Sequence, residues 1–275
     1  MFAFRKCLLV ALCTSGMPLQ AHEFWIEPTD YTVAAGTPVE ATFRNGEAFA
    51  GSALSYIPNR STRFEMVTAD GATEVPARVG DNPAFAAADL PEGLLTVLHE
   101  TSDMDLTYRE KDGRSGWERF TGFLEHKDLG EVIAAHEARG LSQDDPSERY
   151  RRFAKALIAV GDGAGSDSAH DLRTEFVAEA NPYTDDVSGG LPVQLLFEGA
   201  PKADAQIEMF DKAPDGTVEI TLHRTDAEGR ATLPVTPGHA YLLDSVTALP
   251  IEPAAAGDPT WQTLWAALTF AVPEE

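Results

Sequence analysis

Short runs of alternating apolar and polar residues, the Gly, Asp, Asn and Pro turns between them, and a chain of 275 residues predict a mainly β protein. The expected architecture is two β-sandwich domains of immunoglobulin-like size with a helical insertion between them. Residues 1–21 form a signal peptide in this reading, 22–111 the first sandwich, 112–165 the helical insertion and linker, and 166–275 the second sandwich.

The N-terminal segment carries Arg5 and Lys6, an apolar stretch from Cys7 to Cys13, and a more polar tail ending at Ala21. That order predicts a secretory signal peptide cleaved before His22. The apolar stretch is too short for an anchor, since a transmembrane helix needs roughly 20 apolar residues. A lipoprotein reading at Cys13 meets Leu12 where a small residue is required. Both cysteines leave with the signal, so the mature chain relies on its core alone, and its length suffices for one large core or two small ones, with two domains the better expectation. The expected location is the periplasm, with no membrane insertion after cleavage. The net charge is −23, and removal of Arg5 and Lys6 makes it two units more negative. Such a field excludes nucleic acid as a partner and attracts cations, while also serving solubility.

In the first sandwich, residues 24–33 run extended into the turn Ala35-Gly36-Thr37-Pro38, and a second strand follows at 39–43. Further strands are expected at 63–68, 77–79 and 94–100. Asp128 with Glu131 predicts a capping box for a helix ending near Gly140. Asp145, Pro146 and Glu148 predict the start of a second helix, with Phe153, Leu157 and Val160 on one face and Gly161 as its stop. Residues 161–166 read as a flexible linker. Strands return at 174–180, 193–197, 205–210, 217–224, 231–235, 240–246 and 266–272.

Several segments carry a family likeness: His22-Glu23-Phe24-Trp25-Ile26-Glu27-Pro28, the run from Asn45 to Gly51, the run from Tyr150 to Leu157, and Asn181-Pro182-Tyr183. Residues 196–201, 224–230 and 265–270 add to it. Together, in this order, they resemble a family of exported bacterial proteins of unknown function, associated with periplasmic cobalt or nickel uptake and related to NikM. The resemblance implies an exported, β-rich, metal-associated protein. Since no transmembrane segment follows the signal, it implies a separate binding component beside a membrane metal transporter.

A histidine at a new N-terminus offers its α-amine and its imidazole to one metal ion. The amine has an ordinary pKa of about 7.7–8.0, low enough for a metal to displace its proton near neutrality. Nitrogen ligands suit copper and nickel, with cobalt and zinc sharing them, so the metal is left open. The candidate ligands are His22, His99 on strand 94–100, and His126 ahead of the first predicted helix; each of the last two also reads as an ordinary hydrogen-bonded histidine. His136, His170, His223 and His239 read as structural.

The function expected is transition-metal binding in uptake, delivery or buffering, without catalysis. Two other classes compete: an envelope interaction module without metal, and a copper oxygenase using Trp25, Trp117, Trp261 and Trp265 as a groove. Trp261 and Trp265, four apart, read more simply as one helical face packed on a core. No Gly-x-Ser-x-Gly elbow, His-Glu-x-x-His helix or phosphate loop supports a hydrolase.

Overall fold

The computed structural model describes residues 22–255 and 257–274. The predicted signal peptide, with Cys7 and Cys13, lies outside the described residues. The chain is mainly β with two short helices. In order it forms β1 (Glu23–Pro28), β2 (Thr32–Val33), β3 (Val39–Glu47), β4 (Ala50–Leu54), β5 (Ser61–Thr68), β6 (Gly71–Glu74), β7 (Phe85–Ala87), β8 (Gly93–Thr101) and β9 (Met104–Thr107). Helices α1 (Gly116–His126) and α2 (Gly130–Ala138) follow. The remainder is β10 (Ser147–Val160), β11 (Thr174–Ala178), β12 (Leu191–Phe197), β13 (Ala200–Pro201), β14 (Gln206–Lys212), β15 (Val218–Arg224), β16 (Arg230–Leu233), β17 (Ala240–Pro250) and β18 (Trp261–Ala271).

A ten-stranded sheet runs β15-β14-β17-β18-β10-β8-β5-β6, with β2 and β9 also paired to β10. Successive side chains of a strand face opposite ways, and both faces of this sheet are covered. Ala154, Ala156 and Ile158 of β10, with Phe210 of β14 and Leu242 of β17, pack on the small sheet β1-β3-β4, which also holds β7. Leu157, Met209, Leu243 and Leu268 face the other way, onto the small sheet of β11, β12, β13 and β16. Trp261 and Trp265 share the first face and carry the helices through Phe120, Phe123 and Val132. The two small sheets therefore do not each bring a second sheet of their own. They lie on opposite faces of one central sheet, and the helices lie beside the first.

β10 replaces the helix expected over 145–160. The Asp145-Pro146 start signal is local, whereas residues 153–160 are apolar at both parities except for Lys155. A strand covered on both faces buries all of them; an amphipathic helix would leave half in water. Lys155 is accommodated by an ion pair with Asp167 at 2.8 Å. The stretch expected as a flexible linker is tied down as well. Gly161 N–H donates to Val33, Leu94 N–H to Ala164, and the Asn181 side chain to the carbonyls of Gly163 and Gly165.

The helices also begin elsewhere. Ser115 and Glu118 form the capping box, at α1, with Ser115 N–H donating to Glu118 at 2.7 Å. Asp128 instead adopts a left-handed backbone and pairs with Arg224, and α2 starts after Leu129 without a side-chain cap. Trp261 and Trp265 stand on a strand rather than a helix, where a spacing of four also keeps two side chains on one face. Residues 77–79 form no strand.

Candidate functional site

His22 precedes β1 directly and lies opposite the end of β3, whose register pairs Glu23 with Gly46 and Phe24 with Asn45. Strand alternation puts His22, Phe24, Phe43, Asn45 and Glu47 on one side of this pair. The hairpin from β3 to β4 is tight. Ala48 and Phe49 both take positive φ, and a Cβ on Gly46 would stand 2.1 Å from the Ala50 carbonyl oxygen. Phe49 anchors the turn edge-on against Trp25, ring centres 5.6 Å apart. The turn thereby fixes Asn45 and Glu47 beside the imidazole. Asn45 Nδ2 lies 3.2 Å from His22 Nδ1, and Glu47 Oε1 lies 3.3 Å from Nε2.

His99 is on β8, only 4% exposed, and its ring packs against Phe43 at 4.2 Å and against Phe24 and Phe64 at 5.5 Å. Burial lowers its pKa to about 3, so the ring is neutral. Its Nδ1 has no hydrogen-bond partner. His99 lines a cavity of about 300 Å³ together with Phe24, Asn45 and Arg152. Arg152 on β10 reaches back to the start of β1, its Nη2 donating to the His22 carbonyl at 2.9 Å.

His126 is the last residue of α1 rather than a residue ahead of the first helix. Its Nε2 lies 3.1 Å from Glu208 on β14. Beside it, Lys127 is 4% exposed and donates to three carboxylates: Glu208 at 2.6 Å, Asp244 at 2.9 Å and Glu23 at 3.0 Å. Burial opposes the charged ammonium, but the three acids outweigh it and hold its pKa above the ordinary lysine range. Burial pushes Glu23 up to about 7 against the pull of Lys127, and it raises Asp244 too.

Glu23, Glu208 and Asp244 are the one group of three or more His, Cys, Asp or Glu among the described residues whose ligand atoms lie within 4.8 Å of one another. Their spacing suits a cation, and Lys127 Nζ is the cation they hold. His22, His99 and His126 do not form such a group. The reason is the pleat of β1. Phe24, two residues from His22, turns toward His99, whereas Glu23 turns the other way, toward Lys127 and the Glu208 that His126 meets.

Asn45, Glu47, Arg152 and Lys127 were not among the expected site residues. For Glu23, Glu208 and Asp244 a signal existed: each is a carboxylate set among apolar neighbours in a strand, which requires a buried partner. Nothing near Lys127 in the sequence identifies it as that partner. His136 is structural, buried with Nδ1 accepting from Trp261 Nε1 at 3.0 Å.

Residues 19–248 match the family model DUF4198, a domain of unknown function. No curated protein matches the chain. Among solved structures, the tetra-tandem repeat in the extending region of a large adhesion protein is similar at 10% identity and a TM-score of 0.22, over 92% of this chain and 49% of that one. The chain thus spans about half the length of that repeat. The D0-D1 domain of intimin is similar at 12% identity and a TM-score of 0.19, over 90% of this chain and 97% of that one.

Proposed function

We propose that this chain, which belongs to the DUF4198 family, is an exported protein that binds a transition metal ion at His22 after removal of residues 1–21. Nickel, cobalt and copper are the candidates, and the role is to buffer the ion or hand it to a membrane transporter. It acts by binding, without turnover. In this reading the central sheet and the two small sheets on its faces are the scaffold that holds the N-terminus in place.

The observation that carries the reading is the pair of contacts on the His22 ring. An amide N–H donates, so Asn45 selects the tautomer with a lone pair on Nδ1; a carboxylate accepts, so Glu47 takes the proton on Nε2. Nδ1 is the ring nitrogen that closes a six-membered chelate with the α-amine of the same residue, the metal ion taking the lone pair from the Asn45 N–H, which swings aside. A carboxylate on the far nitrogen raises the basicity of a ligating imidazole and fixes its orientation. Two nitrogens suit the borderline metals named and leave further positions to water or to a ligand that travels with the ion.

The test compares the chain beginning at His22 with one carrying Met-Ala before it, by calorimetric titration with nickel and copper. The added residues turn the α-amine into an amide and should weaken binding by roughly a hundredfold or more, the scale of about 3 kcal/mol. Equal affinity of the two forms sinks the chelate and leaves the envelope interaction module as the better reading.

A further inference from the structure

We propose that the cavity between His99, Arg152 and the Leu54–Ile57 rim binds a small aromatic carboxylate. Its volume of about 300 Å³ stands at the lower end of small-molecule sites, which run from roughly 300 to 1,000 Å³, and so admits one ring with a short arm. Phe24 and Phe43 form an apolar wall, with ring centres 5.5 Å apart. At the mouth, Leu54 and Ile57 leave more than a third of their surface exposed, an apolar collar around the opening.

The polar groups at the other end are only partly partnered. Arg152 Nη2 is used by the His22 carbonyl, but Nε is buried without a hydrogen bond. No carboxylate among the described residues pairs with this guanidinium, although Glu148, Asp244 and Glu23 act on it from farther away. Besides the His22 carbonyl it faces aromatic rings, with Tyr150 at 4.7 Å. A half-buried cation in that position gains from a guest anion, because removing charge from water is costly unless it is paired. Arg60 lines the same cavity and has no ion pair among the described residues, which adds a second guanidinium. His99, buried and neutral, lines the same cavity, and its Nδ1 has no partner. Aromatic walls, two guanidinia and an unpaired imidazole nitrogen match a planar ring bearing a carboxylate. The chain as a whole is strongly acidic and repels anions, so such a guest is held by the local pair.

The proposal is independent of metal at His22, whose side chain takes no part in it. Phenylacetate and its neutral analogue phenylacetamide are therefore titrated into the chain beginning at His22 with EDTA present, by calorimetry. The expected result is saturable one-site binding of phenylacetate, with the amide weaker by roughly tenfold or more, the scale of one charge-assisted hydrogen bond. Ile57→Trp, on the exposed rim, blocks the mouth and should weaken phenylacetate by at least about tenfold while the melting temperature stays unchanged. Arg60→Gln, also exposed, should weaken it without loss of fold. No saturation by either compound up to about 10 mM, a free-energy scale of roughly 3 kcal/mol, overturns the proposal. So does equal binding of the amide, or binding unaffected by Ile57→Trp.

Discussion

Lys127 Nζ lies 2.6 Å from Glu208 Oε2, with both side chains almost wholly buried. Through this contact and its partners Glu23 and Asp244, the residue that closes α1 is fixed to β1, β14 and β17. Lys127→Met removes the cation and leaves three buried carboxylates facing one another. The expected cost is roughly 3–5 kcal/mol, the range for breaking a buried ion pair from one side. Urea unfolding measures it, and a loss below about 1 kcal/mol contradicts a structural role for the cluster.

His99 makes stability fall in mild acid. Its pKa is lowered to about 3 in the fold, against about 6.5 unfolded, so only the unfolded chain takes up its proton between those values. The stabilising contribution is complete above about pH 6.5 and is lost progressively as pH falls toward 3. Between pH 6.5 and 5 the loss should be about 2 kcal/mol. His99→Phe, placed among Phe24, Phe43 and Phe64, should abolish that part of the slope. Parallel urea midpoints for both forms across this range rule the account out.

Glu47 supports the proposed chelate from behind the ring. Glu47→Gln keeps the shape but removes the charge that favours a proton on Nε2. Affinity for nickel or copper should drop by roughly ten- to a hundredfold, as for other outer partners of ligating histidines. Thermal stability should stay within about 0.5 kcal/mol, since the pair is exposed. Titration calorimetry and a melting curve separate the two effects.

Ser115 caps α1, with its hydroxyl accepting from Glu118 N–H at 3.2 Å. Ser115→Ala should destabilise the chain by about 1 kcal/mol, with an equal loss from Glu118→Ala in the same box giving less than additive damage in the double variant. Strict additivity in urea unfolding shows that the two ends of the box act separately.

How far the fold could be read in advance depended on the range of the interactions involved. The strands expected at 39–43, 63–68, 94–100 and 240–246 coincide with β3, β5, β8 and β17, because half-buried alternation is local information. β10 differs from the expected helix because Asp145 and Pro146 give a helix start signal at short range, whereas the burial of the apolar run 153–160 on both faces is set by distant strands. The same holds for Trp261 and Trp265, whose spacing of four fits a helix face and a strand face equally. At the site, His22 and His99 were singled out by residue type, and the fold places them on the same side of β1 and β8. His126 was singled out too, but the pleat of β1 assigns it to the acidic cluster.

The amino-acid sequence by itself determined a β-rich chain and its acidic charge, and it carries the expectation of an export signal cleaved before His22, since each follows from composition or from neighbours within a few residues. The tertiary structure alone decided which strands share the central sheet, that Asn45 and Glu47 flank the His22 ring, and that Lys127 fills the space between Glu23, Glu208 and Asp244. The Lys127–Asp244 contact alone joins residues 117 positions apart. Strand register and the burial of charge create these relations, and neither is defined until the sheets have packed.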